Sequence, residues 1–196
     1  MTTMDAPNCD YVLVFGKNTN AGGGVTGVSR HADALARGTR RIQFEPQLSV
    51  SGATASEWIP IRPNTDAAVM FALLHVLLHE HELEELDEGF LKDATSSPYL
   101  VGPGGFYLRH PETRKPLIWD GVSGATVPFD TPGAEPALLG SFTVTRAVEV
   151  GADDDLWTHA DIRAEPAFEH LKTHLAESTP EWAAPIADVP ADPPPP

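Results

Sequence analysis

Three short stretches of this chain put small, acidic and amide residues where a bound phosphate or base would need them. The first is Gly16–Lys17–Asn18, which follows the apolar run Tyr11–Phe15 and leads to three more glycines, Gly22–Gly24. A strand that ends in a small-residue loop and opens a helix can hold a phosphate on backbone N–H groups. The second is Glu45–Pro46, at the end of the strand-like run Arg40–Pro46. Dinucleotide folds place an acid at this point because a carboxylate accepts from two adjacent ribose hydroxyls at once. The plainer reading of Glu45 is a solvated strand end. The third is Pro63–Asn64–Thr65–Asp66. Pro63 and Asn64 suit a tight turn, and a carboxylate at Asp66 can take two N–H donors from a guanine edge. Capping of the helix that follows is the commoner use of such an acid.

The glycine loop fits neither standard phosphate motif. Lys17 follows Gly16, but no Gly-Lys-Ser/Thr comes after a glycine five residues back. Gly22, Gly24 and Gly27 match Gly-x-Gly-x-x-Gly spacing, yet Gly22 comes too late for the tight first turn of a nicotinamide-dinucleotide site. A flexible loop without a ligand stays open as the alternative.

The elements that must position these loops read as an open α/β sheet. Residues 11–15 predict a parallel strand, continuously rather than alternately buried. Val25–Arg37 predicts a helix, with Gly38 at its C-terminal cap. Arg40–Pro46 predicts a second strand and Glu57–Pro63 a short third one, which Pro60 places at an edge. Asn64 or Thr65 caps a helix that runs through Met70, Leu73, Leu74, Leu77 and Leu78 to His81. The expected fold class is therefore α/β, a Rossmann-like open parallel sheet with helices on both faces, over residues 1–97. A Gly/Pro-rich β-hairpin segment follows over 98–164, with strands near Phe106–Leu108, Leu117–Trp119 and Phe142–Val150. A C-terminal amphipathic helix within 165–179, with Phe168, Leu171 and Leu175 on one face, completes the domain. Residues 180–196 hold seven prolines, which predicts a disordered or polyproline-like tail.

Composition narrows the function. The 196 residues carry 28 acidic against 13 basic side chains, a formal charge of −15, which excludes general nucleic-acid binding. Cys9 is the single cysteine, so this chain forms no internal disulfide and supplies no thiolate zinc or iron–sulfur site by itself. The longest apolar run, Ala67–Leu78, is too short to span a bilayer, and no signal-peptide pattern is visible. The expectation is a soluble chain without direct membrane insertion. It is cytoplasmic by default, with a periplasmic or membrane-associated complex as the alternative, because a partner could carry the export signal.

Read together, "DYVLVFGKN", "RIQFEPQLSVSGATASEWIPIRPNTDAAVMFALLHVLLHE" and "STPEWAAPIADVPA" resemble the large subunits of molybdopterin oxidoreductases of the dimethyl sulfoxide reductase family. The likeness is dense over residues 10–80 and looser beyond. It implies that this segment binds the guanosine and pyrophosphate end of molybdopterin guanine dinucleotide, whose molybdenum or tungsten centre carries two-electron transfer, often of an oxygen atom. Gly16 and Asn18 match the family's glycine and asparagine after the first strand, with Lys17 between them. Glu45 and Pro46 match its Asp-Pro after the second strand, and Ser51 stands for a threonine five residues past that proline. Pro63, Asn64, Thr65 and Asp66 match its Pro-Gly-Thr-Asp. The departures are Thr19 for a proline, Glu45 for aspartate, Gln47 for an arginine and Ser56 for an aspartate. The family's iron–sulfur cysteines and metal ligand lie upstream of this segment, and a closing domain lies downstream. The resemblance thus implies an internal piece of a larger enzyme, inactive alone. Its partners would be the remaining domains and an iron–sulfur electron-transfer subunit. This reading is compatible with a truncated frame or with a split subunit.

Other chemistry-bearing residues have plainer readings. His75 and His79 have zinc spacing, with His81 nearby, but no third ligand is fixed and a surface helix end is the simpler reading. Asp153–Asp155 lack the alternating ligands of a calcium loop. Cys9 reads as a half-buried structural thiol, and Tyr107, Trp119 and Trp182 as packing residues. The rival to the molybdopterin reading is a stand-alone Rossmann-like module that binds another nucleotide or serves assembly without catalysis.

Overall fold

The computed structural model describes residues 5, 8–152 and 155–191. The first elements are β1 (Tyr11–Phe15), α1 (Thr19–Gly22), α2 (Gly24–Ala36), β2 (Arg40–Phe44), α3 (Val50–Ala53), β3 (Glu57–Ile59) and α4 (Asp66–His75). After a π turn at Val76–Glu80 come α5 (Glu88–Ala94), β4 (Leu100–Val101), β5 (Leu108–Arg109), β6 (Leu117–Asp120) and β7 (Ala125–Pro128). The chain ends in β8 (Phe142–Val150), β9 (Leu156–Pro166), α6 (Ala167–His174) and α7 (Pro180–Ala187). They form two compact units. One takes the described residues up to Val76 and those from Glu177 on; the other is Leu77–Ala176. The boundary expected between residues 97 and 98 falls inside the second unit, as does α6.

The first unit is a parallel sheet in the order β1-β2-β3. Tyr11 to Phe15 pair in register with Arg40 to Phe44, and Ile42 to Phe44 with Glu57 to Ile59. Side chains alternate along a strand, so the sheet has two distinct faces. Val12 and Val14 pack against Ala34 of α2 on one face. Ile42 and Phe44 pack with Ile61, Val69 of α4 and Ala187 of α7 on the other. The sheet therefore carries helices on both faces. β1 departs from the continuous burial expected of it. Val12 and Val14 are buried while Tyr11 is 60% and Leu13 50% exposed, because β1 is an edge strand and the α4–α7 cluster is built on β2 residues.

Local signals set the helix ends. Gly38, at φ +94°, closes α2: its N–H donates to Leu35 O and the Thr39 N–H to Ala34 O, which is a Schellman arrangement. Asn64, at φ +64°, makes the left-handed turn ahead of α4. On α4, Ala68 and Ala72 meet Ala183 of α7, while Met70, Phe71 and Leu74 remain exposed.

The tail expectation needs correction. Residues 180–187 are helical, not disordered, while 192–196 lie outside the described residues. Thr179 caps α7 by accepting from the Trp182 N–H, and Pro180 occupies the first turn, where its missing donor costs nothing. Arg62 then ties the unit to α7 through its N–H on Ala187 O and its guanidinium on Pro185 O.

The second unit is an antiparallel sheet in the order β4-β9-β8-β5 with a separate hairpin, β6-β7. Leu100, Leu108, Leu117, Val144, Ala147 and Ala164 form its core, and Trp119 stacks on Phe142 at 4.5 Å. Tyr107 meets Tyr99 edge-on. The Gly102–Phe106 loop folds over Glu149, which is fully buried and accepts from the Phe106 N–H at 2.8 Å and from His159 Nε2 at 2.9 Å.

Asp120 closes the β6–β7 turn by accepting from the Ser123 hydroxyl and from the N–H groups of Glu135, Val122 and Ser123. These bonds, the Ser123 hydroxyl first, hold its carboxyl at about 2. A depressed carboxyl stabilises the fold above its unfolded value of about 4 and loses that contribution as pH falls through the folded value. Carboxyl NMR of Asp120 is expected to show titration well below the usual carboxylate range, and Asp120→Asn is expected to flatten the unit's stability loss between about pH 4 and pH 2.

No helix among the described residues is long and apolar enough to cross a membrane.

Candidate functional site

The carboxyl ends of β1, β2 and β3 lie on one edge of the parallel sheet, and the three loops singled out in the sequence leave from that edge. Two of them are joined directly. Gly16, at φ +61°, turns the chain off β1 while its N–H donates to Phe44 O at 2.9 Å. A Cβ built there would meet nothing within 4 Å, so the backbone faces open space. Lys17 is exposed, and its carbonyl accepts from Gln43 Nε2 at 3.1 Å. The Ser51 hydroxyl donates to Asn18 Oδ1 at 2.9 Å and accepts from the Asn20 N–H at 2.9 Å. Asn20 Nδ2 reaches Thr54 Oγ1 at 2.8 Å. Ser51 is thus the post on which the loop after β1 is fastened to α3.

Glu45 is 5% exposed and already engaged. Its Oε1 accepts from the Ser49 N–H at 2.8 Å, and its Oε2 from the Ser49 hydroxyl at 3.0 Å and from Gln43 Nε2 at 3.2 Å. Gly52 is needed beside it, because a Cβ there would stand 2.4 Å from Glu45 Oε1. In this structure the Glu45 carboxylate orders residues 45–52 around itself. Pro46 and the family's arginine position, Gln47, are exposed beside it. The third loop stands apart from this network: Pro63 and Asn64 are exposed, and Asp66 is half-buried in the first turn of α4, whose N-cap Thr65 makes no side-chain cap bond. Its anchor is Arg62, on α7.

Beneath the two joined loops lies a row of polar side chains of which the sequence pointed only to Glu45. Arg41 (1% exposed), Gln43 (0%) and Glu45 alternate with apolar Ile42 and Phe44 along β2. One guanidinium nitrogen of Arg41, Nη2, donates to Ser51 O and to Thr54 Oγ1 at 2.7 Å. Arg41 Nε and Nη1 and Gln43 Oε1 are buried and meet no partner among the described residues. Burial lowers the Arg41 pKa, opposed by the charge of Glu45. His31 of α2 is also buried, and burial, followed by the charges of Arg41 and Lys17, holds its imidazole below its ordinary range. The signal for this row was present in "RRIQFEP" as a period-two alternation, polar on one face and apolar on the other. Ser56, at another family departure, caps β2 by exchanging bonds with the Arg41 backbone.

The remaining candidates do local work. His79 Nε2 bonds to Lys172 O at 2.8 Å, and His81 Nδ1 to Glu85 at 2.6 Å, while His75 is buried in α4. Among the described residues, no group of three His, Cys, Asp or Glu side chains is placed to hold a metal. Cys9 is half-buried against Val12, Val14 and Ala34. Asp153 and Asp154 lie outside the described residues.

No protein-family model matches the chain. Curated relatives do. A sulfite dehydrogenase subunit of Allochromatium vinosum is 32% identical over 170 residues, covering 80% of this chain and 16% of the relative. The alpha chain of the perchlorate reductase of Dechloromonas aromatica is 28% identical over 224 residues, 96% of this chain and 23% of the relative. The molybdopterin-containing polypeptide of the thiosulfate reductase of Salmonella typhimurium is 34% identical over 93 residues, 47% of this chain and 12% of the relative. The chain spans less than a quarter of the length of each of these relatives. With the parallel sheet, the strand-end loops and these matches in hand, the chain belongs to the molybdopterin oxidoreductases of the dimethyl sulfoxide reductase family, as a segment of their catalytic subunit.

Proposed function

We propose that the first unit binds the guanosine and pyrophosphate end of molybdopterin guanine dinucleotide. The observation that carries this reading is the fastening of the Gly16–Asn20 loop to α3 through Ser51, at the carboxyl edge of a parallel sheet, where open α/β folds receive nucleotides. The residues fit the group. Gly16 leaves room for a close backbone approach, and the exposed Lys17 supplies positive charge for a diphosphate. Asn18 is held by Ser51 beside that path, with Pro46 and Pro63 shaping the loops on either side. Asn64 turns the chain into α4, where the carboxylate of Asp66 would accept from the N1 and N2 hydrogens of a guanine edge. Glu45 serves from beneath, keeping Ser49 and Ser51 in place.

When bound, the pterin's molybdenum or tungsten centre supplies two-electron transfer, and this chain's residues hold and orient the nucleotide end. The partners that this reading implies are the remaining domains of the catalytic polypeptide, together with an iron–sulfur electron-transfer subunit.

The test is a 15N NMR titration of the chain with GDP and, separately, ADP. Weak binding is expected, since the site is completed elsewhere. The amides of Gly16–Asn20 should shift with both nucleotides through the diphosphate. Those of Asn64–Asp66 should shift with GDP alone, and Asp66→Asn should abolish that preference. Shifts that spare both loops, or identical responses to GDP and ADP at 64–66, would overturn the assignment.

A further inference from the structure

The buried row on β2 poses a problem that packing does not answer. A central strand facing a helix is normally filled by apolar side chains, and a buried guanidinium with two nitrogens that meet no partner among the described residues is costly to desolvate. Replacing a buried ionic group by an apolar residue of similar volume often leaves stability unchanged or raises it. The bonds that Arg41 does make all point the same way. Nη2 binds the carbonyl of Ser51 and the hydroxyl of Thr54, the two residues of the α3 segment that in turn hold Asn18 and Asn20. Gln43, next along the row, holds the Lys17 carbonyl and Glu45. Every partner of the row thus belongs to one of the two joined loops.

We propose that Arg41 is a positioning residue for the dinucleotide loops. Its guanidinium fixes Ser51 and Thr54 from below, and Ser51 and Thr54 fix the loop after β1. The role depends on hydrogen-bonding charge at this position rather than on bulk. It rests on the nucleotide reading of the same loops, but its first consequence, loop order, is measurable without a ligand.

The substitution Arg41→Met preserves most of the side-chain volume and removes the donors. In the 196-residue chain it is expected to leave the unfolding midpoint unchanged or raised, while the Asn20 amide, bonded to Ser51 Oγ, exchanges with solvent about tenfold faster relative to Ile42 in the strand. Ile42→Val, which weakens the opposite face of the same strand, should not move Asn20 relative to its neighbours. If Arg41→Met does not fold, Arg41→Lys, which keeps the charge but lacks the planar fork of donors, should produce a smaller rise at Asn20. Unchanged Asn20 exchange in either variant overturns the proposal, as does a uniform rise throughout the unit. The GDP titration separates the two claims. A wild-type chain that ignores GDP defeats the nucleotide reading and leaves the positioning claim to the exchange data. A wild type that responds beside an Arg41→Met chain that does not supports both. A variant that responds like wild type defeats the positioning role.

Discussion

Phe44→Ala is expected to remove about 3–4 kcal/mol from the stability of the first unit, the range for emptying a large buried aromatic site. Phe44 is 5% exposed and sits at the end of the central strand. Its ring lies flat on Phe15, with centroids 4.5 Å apart and planes within 3°, and it belongs to the cluster of Ile42, Ile61, Val69 and Ala187. The loss combines transfer of the ring with a cavity that a strand paired on both sides cannot collapse to fill. The same residue's carbonyl receives the Gly16 N–H, a bond that the substitution leaves in place. Urea unfolding followed by tryptophan fluorescence reads the effect, since Trp58 and Trp182 both lie in this unit. Phe44→Leu, which keeps most of the volume, should cost roughly half as much. A loss below about 1 kcal/mol for the alanine variant would show that this cluster is not the unit's core.

The second large effect falls in the other unit. Glu149→Ala is expected to destabilise it by about 3 kcal/mol, because removing one member of a buried hydrogen-bonded pair strands the others. His159 loses its carboxylate, and the Phe106 and Gly104 N–H groups lose the acceptor around which their loop is wound. The glycines make the fit specific. A Cβ at Gly102 would stand 2.6 Å from Glu149 Oε2, and one at Gly104 would stand 2.9 Å from Oε1. Glu149→Gln keeps the shape and one acceptor oxygen, so its cost should stay near about 1 kcal/mol. Equal losses for the two variants would mean that side-chain bulk contributes nothing and that the second carboxylate oxygen carries the whole effect.

What could be read from the sequence divides along physical lines. β1, β2, β3 and α2 were legible because each is announced locally, by an apolar run, a proline or the glycine after the helix. β8 was found over its full length, Phe142–Val150, yet its partner β9 was not. Leu156–Pro166 is largely exposed along its length, and what makes it a strand is its antiparallel pairing to β8. α7 was hidden by composition: Thr179–Pro180–Glu181 is a serviceable helix start, but seven prolines in 17 residues weighed against it. Within the site, Gly16 could be named from its place after the first strand and Asn18 and Ser51 from the family resemblance, but their mutual bonds could not be read from either. Glu45 shows the limit most clearly. Its type and position suit a ribose, and only the placement of Ser49 and Gln43 shows that its oxygens are already in use.

The first unit is discontinuous in the chain. Its sheet and α4 are complete by His75, but α7, which covers Ile42 and Phe44 and holds Arg62, comes about a hundred residues later, after the whole second unit. Synthesis runs in one direction, so a nascent chain has made β1 to β3 long before their last covering helix exists. The second unit draws its contacts from its own residues and can close first; once folded, it shortens the effective loop that α7 must span to return. The first unit is therefore sealed only after the insertion has been made, and the apolar face of its sheet stays uncovered until then.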